Sequence, residues 1–566
     1  APPADERQGV APASGKRSKP GPEVIEQSKQ IVISRIKSMV QSKSRIDVDL
    51  LAHAYRVEWT PAFKNPVAIE RIVRGADEIA EKFASNTKYD GGWLGAAALG
   101  GAIDLTWPDI EKHLDEPFGA KFPGKYRREV WTKALRQSVD FWRQNRRFYT
   151  NQAMLVDMGI YRSNRGLIRI DPSQALPEEK ALRYVHEAVG IEPWMDSDIV
   201  DAEGERPSRI FGDDYRLVTR KGLSRELGWV GSYGETILTI TRELYDATGD
   251  ELVRQQLGKL QRARLNFRYP SIDDQGHYGL RLSAEIDNRH SHFPQHGMAY
   301  AAPESIREHW GLETTAVLPD DPVVLGASQR FISDGHYFDH IASRLKDPQT
   351  LAMMRNIEDY EKVKSLPKVD YTFPMEDNQA DFVFADEEDA VVALKHGDTR
   401  LFINFYFRAE NAVNRVAKIL ELTPVTSRIV TAMSHTEVIE SGETYTRPDD
   451  IDWIRGDARH RTPPGPKIHQ AWAGEQLPIA SRPVGASQPK YGDWGPFVGK
   501  AAFYWIQYGD YLIGLNTTEQ NTYDLPVSSG AVPFIDLVSG RTLTADNGVI
   551  KVAPLSTVIL HPVHSK

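Results

Sequence analysis

The chain contains no cysteine among its 566 residues. This excludes disulfide bridges, thiolate metal sites and a cysteine nucleophile, and it leaves both secreted and cytosolic proteins open. Long apolar runs are absent as well, because no stretch approaches the roughly 18 residues that a membrane-spanning helix needs. We therefore expect no membrane partner.

The chain also lacks a surplus of basic residues. It carries 69 Lys and Arg against 78 Asp and Glu, a net charge of −9, whereas a general nucleic-acid binder usually has a basic excess. No phosphate-binding loop, Rossmann glycine pattern or Gly-x-Ser-x-Gly elbow occurs, and His186-Glu187 lacks the second histidine of a zincin helix. These absences argue against nucleic-acid partners, nucleotide chemistry and zincin chemistry.

The order of sequence patterns predicts two large parts after an extended arm at residues 1–22, which is rich in proline and small residues. Between 23 and 365, apolar residues recur at helical spacing and no strand-helix alternation appears. This succession predicts an incomplete α/α toroid and excludes a doubly wound fold. Helices are predicted over 68–84, 127–143, 232–247, 251–267, 324–341 and 348–363, with breaks at Gly249-Asp250 and Pro270-Ser271.

From about residue 366 the pattern becomes that of strands. Ala390-Val-Val-Ala-Leu394 and the aromatic run after Leu401 are typical examples. We therefore predict an antiparallel β-sandwich over 366–566, with a strand-poor insertion between about 440 and 495. The expected fold class is multidomain α+β, with the toroid first and the sandwich second.

The segment from Asp287 to Tyr300 is the part of the chain richest in proton carriers. It holds three of the 16 histidines. Such groups exchange protons or neutralise an anion near neutral pH, which indicates a site for a negatively charged substrate. A metal site of three histidines and Asp287 is the weaker alternative, since the spacing matches no standard ligand pattern. The candidate residues are Asn288, Arg289, His290, His292, His296 and Tyr300.

Phe293-Pro-Gln-His296-Gly297 resembles the segment that carries the catalytic histidine in chondroitin AC lyase and hyaluronate lyase. The toroid followed by antiparallel β structure resembles that superfamily along nearly the whole chain. The family places a catalytic tyrosine nine residues after the histidine. This chain has Ser305 there and Tyr300 at plus four, so the resemblance leaves the identity of the base open.

The resemblance implies cleavage of an acidic poly- or oligosaccharide by β-elimination, which gives an unsaturated uronate. The uronate carboxylate must be neutralised, a base must remove the C5 proton, and an acid must protonate the leaving O4 oxygen. Tyrosine and histidine can serve as base and acid, so we expect neither a metal nor another cofactor.

Further polar residues of the helical part are expected to complete the site. Asn151 is the candidate for neutralising the carboxylate, although a capping role is equally compatible. Tyr233 is a second candidate for the base or acid, and Trp93 is a candidate platform for a sugar ring or else a core residue. The remaining expected substrate-binding residues are Gln152, Arg165 and Glu235.

Two other functions remain open from the sequence. A glycoside hydrolase on a helical barrel needs two carboxylates beside the scissile bond, and the sequence does not show which ones pair. A non-catalytic glycan-binding protein is less compatible with so many proton carriers. Because the chain begins Ala-Pro-Pro-Ala like a processed protein, we expect secretion. The candidate hydrolase carboxylates are Asp90, Glu235, Glu285, Asp287 and Glu304.

Overall fold

The computed structural model describes most of the chain. For Ser232, Tyr233 and residues 450, 451, 468 and 469 it describes the backbone only. The described residues are 19–41, 45–199, 209–272, 278–287, 311–407, 409, 411–446, 450–451, 468–469, 474–487, 495–528 and 533–563.

Helices dominate the first two thirds of the described chain. Their ends follow local signals: Asn65 caps α3 ahead of Pro66, and α8 ends at Gly249 with φ of 64°. The helices are α1 Glu23–Gln41, α2 Val48–Ala54, α3 Pro66–Ser85, α4 Ala97–Thr106, α5 Arg127–Gln144, α6 Thr150–Ile170, α7 Glu178–Ala188, α8 Thr236–Thr248, α9 Glu251–Leu265, α10 Pro322–Ser333, α11 His336–Ser343 and α12 Thr350–Val363.

Five helices surround a polar interior. Helix α2 contacts α4, α4 contacts α6, α6 contacts α8, and α12 contacts α2. Two ion pairs connect α8 to α12, Arg242–Asp359 at 3.1 Å and Arg355–Glu243. Most of the other helices pack around these five, including α1 against α12, α5 and α7 against α6, and α9 against α8.

Helices α4 and α6 approach each other through glycine. A Cβ atom on Gly100 would lie 2.3 Å from the carbonyl oxygen of Arg162, and one on Gly166 would lie 2.7 Å from the Cα atom of Gly100. Any larger side chain at these positions would push the two helices apart. The close contact fixes α6, whose two ends line the cavities described below.

The strands follow mainly in the last third of the chain. All strand pairings between the described strands are antiparallel. The strands are β1 Arg268–Ile272, β2 Tyr278–Leu282, β3 Phe382–Asp386, β4 Val391–His396, β5 Thr399–Asn404, β6 Val416–Thr423, β7 Thr426–Met433, β8 His435–Glu437, β9 Glu440–Thr446, β10 Asp450–Ile451, β11 Ile468–His469, β12 Gln476–Ala480, β13 Phe503–Tyr508, β14 Tyr511–Asn516, β15 Tyr523–Pro526, β16 Phe534–Asp536, β17 Thr542–Leu543, β18 Val549–Val552 and β19 Thr557–Pro562.

Two sheets make up most of this region, one ordered β3-β4-β5-β6-β7 and the other β17-β16-β19-β14-β13-β8. Val392 and Ile403 on one face of the first sheet share an apolar cluster with Ile513 of the second. On the opposite face, Val391 and Phe402 pack in a cluster with aromatic residues of the helical part. Strands β4 and β5 are apolar without alternation because both of their faces are covered.

The α+β prediction is confirmed, with corrections to single elements. The helix predicted over 324–341 is two helices, because Gly335 adopts φ of 78° between α10 and α11. The helical part also contains the hairpin β1–β2, which includes the predicted break at Pro270. Within the predicted strand-poor insertion, β9 pairs with β12. Among the described residues, no helix is long and apolar enough to cross a bilayer.

Candidate functional site

The first turns of three helices line a cavity of about 410 Å³, which we call the N-terminal cavity. Asn151 comes from α6, Thr236 from α8 and Ala352 from α12. Helix N-termini carry partial positive charge and unpaired N–H groups, so this end of the interior attracts anions and polar ligands. Gly311, the first residue described after position 287, also lines the cavity.

Charged side chains of both signs face the N-terminal cavity. Three are arginines and four are carboxylic acids: Arg242, Arg344, Arg355, Glu243, Glu313, Asp347 and Asp359. Arg242 pairs with Asp359 at 3.1 Å, and Arg355 pairs with Glu243. Among the residues that the structure describes, no side-chain hydrogen bond or ion pair engages the guanidinium of Arg344. This leaves Arg344 as a cation available to a ligand.

Glu313 has the environment of a proton donor. Removal from bulk water, the largest effect, raises the pKa of Glu313, and the negative charge of Asp359 acts in the same direction. Hydrogen bonds from its own backbone N–H and from Thr239 at 2.9 Å, and the charge of Arg242, only partly oppose this rise. Burial also raises the pKa of Asp359, although Arg242 acts against it. A carboxyl group that keeps its proton nearer neutral pH is the usual general acid in glycoside cleavage.

A second cavity of about 330 Å³, the C-terminal cavity, continues through the interior. All five surrounding helices line it, and Arg242, Glu243, Arg355 and Asp359 line both cavities. Residues late in α6 and α8 line this second cavity, whereas early residues line the first. These helices therefore run in the same direction along the interior.

At the C-terminal cavity, Asp49 and His53 of α2 hold two arginines of other helices in place. Asp49 pairs with Arg162, and His53 Nδ1 donates to the backbone oxygen of Asp49 at 2.8 Å. The Nε2 atom of His53 accepts from Arg355 at 3.3 Å, which requires a neutral imidazole. Burial and the two arginines lower the pKa of His53 to about 4, although Asp49 raises it. Arg355 is thereby oriented towards Glu243.

The lowered pKa of His53 predicts a pH-dependent loss of stability. Below about pH 6.5, the unfolded chain binds a proton at this histidine while the folded chain does not, so stability falls until the pH reaches about 4. The contribution is about 2–3 kcal/mol. In urea unfolding at pH 7 and pH 4.5, His53→Gln should therefore lose less stability on acidification than the unsubstituted chain. The exposed His435, changed to Gln, is the control, and an equal loss in both variants contradicts the prediction.

The structure brings two of the sequence-predicted residues to these cavities. Asn151 lines the N-terminal cavity, and its side-chain nitrogen and backbone nitrogen both donate to Glu226 Oε1, at 2.5 and 3.0 Å. An amide carries two N–H bonds, so one stays available to a ligand. Arg165 lines the C-terminal cavity, where it pairs with Asp104 and Glu178 at 3.3 Å each.

Other predicted residues lie away from both cavities. Glu235 is buried against Arg264, with 2.8 Å between carboxylate and guanidinium. Trp93 is 39% exposed on the loop before α4, and Gln152 is partly buried on α6. Tyr233 belongs to the 3₁₀ helix Ser232–Glu235, but its side chain lies outside the described part of the chain. Asn288, Arg289, His290, His292, His296 and Tyr300 lie outside the described residues altogether.

The described carboxylates among those predicted for a hydrolase do not line these cavities either. Asp90 accepts from the backbone of Gly92 at 2.8 Å, Glu285 accepts from Tyr269 at 2.9 Å, and Asp287 accepts from the backbone of Gly231 at 2.7 Å. Glu304 falls in the undescribed range. In the part of the chain that the structure describes, no group of three or more His, Asp and Glu is placed to hold a metal ion.

The cavity carboxylates were missed because their sequence pattern is ambiguous. Arg242, Glu243 and Asp246 on α8 recur at helical spacing, as do Arg355, Asp359 and Lys362 on α12. Such a charged stripe is usual for a solvent-facing surface. The sequence does not show that both faces of these helices are covered in the fold. Only the ion-pairing partners of these charges on other helices would indicate it, and the sequence does not show which residues pair.

Comparison with known proteins adds little to this geometry. No protein-family model matches the chain, and no curated protein matches it. One solved structure to which it is similar is a GH127 β-L-arabinofuranosidase from Geobacillus stearothermophilus T6. The two share 11% identity over 95% of this chain and 91% of that chain, with a TM-score of 0.26. A similarity this low carries no inference about fold or activity.

Proposed function

We propose that the protein is a carbohydrate-active enzyme that cleaves glycosidic bonds by hydrolysis in the N-terminal cavity, with Glu313 as the general acid. The observation that carries this proposal is the raised pKa of Glu313 inside a cavity that also holds Glu243. Retained protonation lets Glu313 protonate the leaving oxygen of a glycoside. Polar groups on every wall of the cavity suit the hydroxyl groups of a sugar.

Glu243 is the proposed partner carboxylate. Glu313 is hydrogen-bonded to Thr239, which lies one helical turn before Glu243 on the same face of α8. Side chains four residues apart in a helix have Cβ atoms about 6 Å apart. Both carboxyl groups line the N-terminal cavity, and we propose that they act on the two sides of the scissile bond. Arg355 holds Glu243 in position from the opposite helix.

The proposal includes the architecture around the cavity. We propose that residues 23–365 form an α/α toroid with catalytic function and that residues 366–566 form an antiparallel β-sandwich that supports it. The helix contacts around the cavities and the apolar cluster shared by the two sheets support this division. The extended arm at 1–22 and secretion of the protein stay predictions.

The second candidate is β-elimination of a uronic-acid-containing glycan. Arg344 and Asn151 favour it, because they face the same cavity and offer a cation and an amide N–H to a carboxylate. Such groups stabilise the charge that develops when the C5 proton is removed. Its base would come from Tyr233, Tyr300 or the histidines of residues 287–300.

Product analysis separates the two candidates. The protein is incubated with neutral and uronate-containing glycans, and both new reducing ends and ultraviolet absorbance of a conjugated double bond are followed. Hydrolysis should release reducing ends without that absorbance, since only elimination creates a C4–C5 double bond. A chelator should leave the rate unchanged. Absorbance that grows in step with reducing ends contradicts hydrolysis and establishes elimination.

A further inference from the structure

A groove of about 490 Å³ lies beside the far end of the interior, where α2 and α4 end. We call it the aromatic groove. Phe63 and Trp107 form partly exposed walls, with the buried Tyr55 behind them. Arg56 and Leu105 line both this groove and the C-terminal cavity. The groove is therefore continuous with the interior but is at the opposite end from Glu313.

The balance of charge in the aromatic groove favours an anion. Lys112 pairs with Asp109 at 3.1 Å, and His113 pairs with Glu116 at 3.1 Å. Arg56 donates to the backbone oxygen of Leu105 at 3.2 Å, and no carboxylate among the described residues pairs with it or with Lys64. Glu70 is the one groove carboxylate without such a partner in the described chain, so a cation remains in excess.

Lys64 provides an independent observation. Its φ of 46° is in the left-handed region, which a lysine adopts only at a cost. A hydrogen bond from its backbone nitrogen to the carbonyl oxygen of Tyr55, 3.2 Å, holds this conformation. The ammonium group lies 5.1 Å from the centre of the Phe63 ring. The left-handed backbone at Lys64 therefore places the lysine ammonium beside the partly exposed ring of Phe63.

We propose that the aromatic groove is a second binding site for an acidic oligosaccharide, separate from the site of bond cleavage. A uronate unit offers an apolar ring face to Phe63 or Trp107 and a carboxylate to Arg56 or Lys64. This inference adds to the proposed function by naming an acidic glycan as the ligand of the aromatic groove. It rests on the proposed function only in taking the ligand to be a glycan. Binding at the groove requires no turnover.

Isothermal titration tests the groove in the Glu313→Gln background, so that no probe is cleaved. The acidic probe is a hexasaccharide of alternating glucuronate and N-acetylglucosamine, and the neutral probe is cellohexaose. The double variant Arg56→Gln, Lys64→Gln should weaken binding of the acidic probe about tenfold or more, since charge-assisted contacts are lost. Trp107→Ala should weaken it as well.

The control removes the same charge elsewhere. Lys82→Gln with Lys88→Gln changes two exposed lysines at the far end of α3, and it should leave binding within twofold. Three outcomes would contradict the proposed site. The acidic probe does not bind, the Arg56→Gln, Lys64→Gln double variant binds the acidic probe as tightly as the parent does, or cellohexaose binds as tightly as the acidic probe. Because binding is read without turnover, failure of Glu313 as the catalytic acid leaves this result interpretable.

Discussion

Replacement of Glu313 by glutamine is expected to lower kcat by about 10²–10⁴-fold while the fold is retained. Glutamine keeps the size of the side chain and can still accept the hydrogen bond from Thr239, which is 2.9 Å long in the native chain. It cannot transfer a proton to the leaving oxygen. Because glutamine matches the native side chain in size and keeps the bond from Thr239, the thermal unfolding midpoint should change little. The measurement is kcat on a glycan that the unsubstituted protein cleaves.

The pH profile gives a second readout for Glu313. A general acid with a raised pKa is active while protonated, so activity should fall as pH rises through that pKa and the dependence should disappear in the variant. Glu58→Gln is the matched control, because Glu58 is exposed and lines none of the three cavities. Near-native kcat in Glu313→Gln would remove Glu313 from the catalytic step.

Much of the fold could be predicted where local chemistry and tertiary packing agree. Gly249-Asp250 separates α8 from α9 because glycine adopts a left-handed φ and the following aspartate caps a helix. The run after Ala390 is a strand because β-branched residues suit a sheet that is covered on both faces. In both cases the residue's own preference decides.

Prediction was incomplete at two places where the helical pattern is interrupted. Val324 to Ile341 has continuous helical spacing, yet Gly335 interrupts it and α11 packs in another direction, against α1. Pro270 lies at a break in the helical pattern, as predicted, but the two-stranded hairpin around it, in which its missing N–H is tolerated, was not predicted. Gly335 is a local signal that the helical spacing around it obscured, whereas the hairpin depends on the pairing of β1 with β2.

The candidate site likewise contains one residue that the sequence singles out and others that it does not. Asn151 could be singled out because an Asn-Gln pair begins a helix, and in the structure it lines the N-terminal cavity. Glu243 and Glu313 could not, since Glu243 belongs to a stripe of charges on α8 and Glu313 follows a segment without a clear pattern. Both line the N-terminal cavity, where Thr239 of α8 donates a hydrogen bond to Glu313 across 74 positions of sequence.

Replacement of Arg146 by methionine is expected to destabilise the protein by about 3–5 kcal/mol. The Arg146 guanidinium contacts Asp157 at 2.7 Å and Glu187 at 2.5 Å, with side-chain exposures of 1%, 0% and 3%. Methionine fills a similar space but leaves the buried Asp157 without its cation, whereas Glu187 keeps its pairing with Arg183 at 3.0 Å. Urea unfolding at pH 7.5 measures the loss. Arg147→Met, at an exposed neighbouring position, should change stability by less than about 0.5 kcal/mol.

The pH dependence of this loss separates electrostatics from packing. Burial already raises the pKa of Asp157 to about 6 although Arg146 opposes the rise, and without Arg146 the pKa should rise further. At pH 4.5 the carboxyl group of Asp157 would be protonated, so Arg146→Met should then cost less than at pH 7.5. An equal cost at both pH values would assign the loss to packing. Because Asp157 lies on α6, two turns after Asn151, the ion pair also fixes the helix that presents Asn151 to the N-terminal cavity.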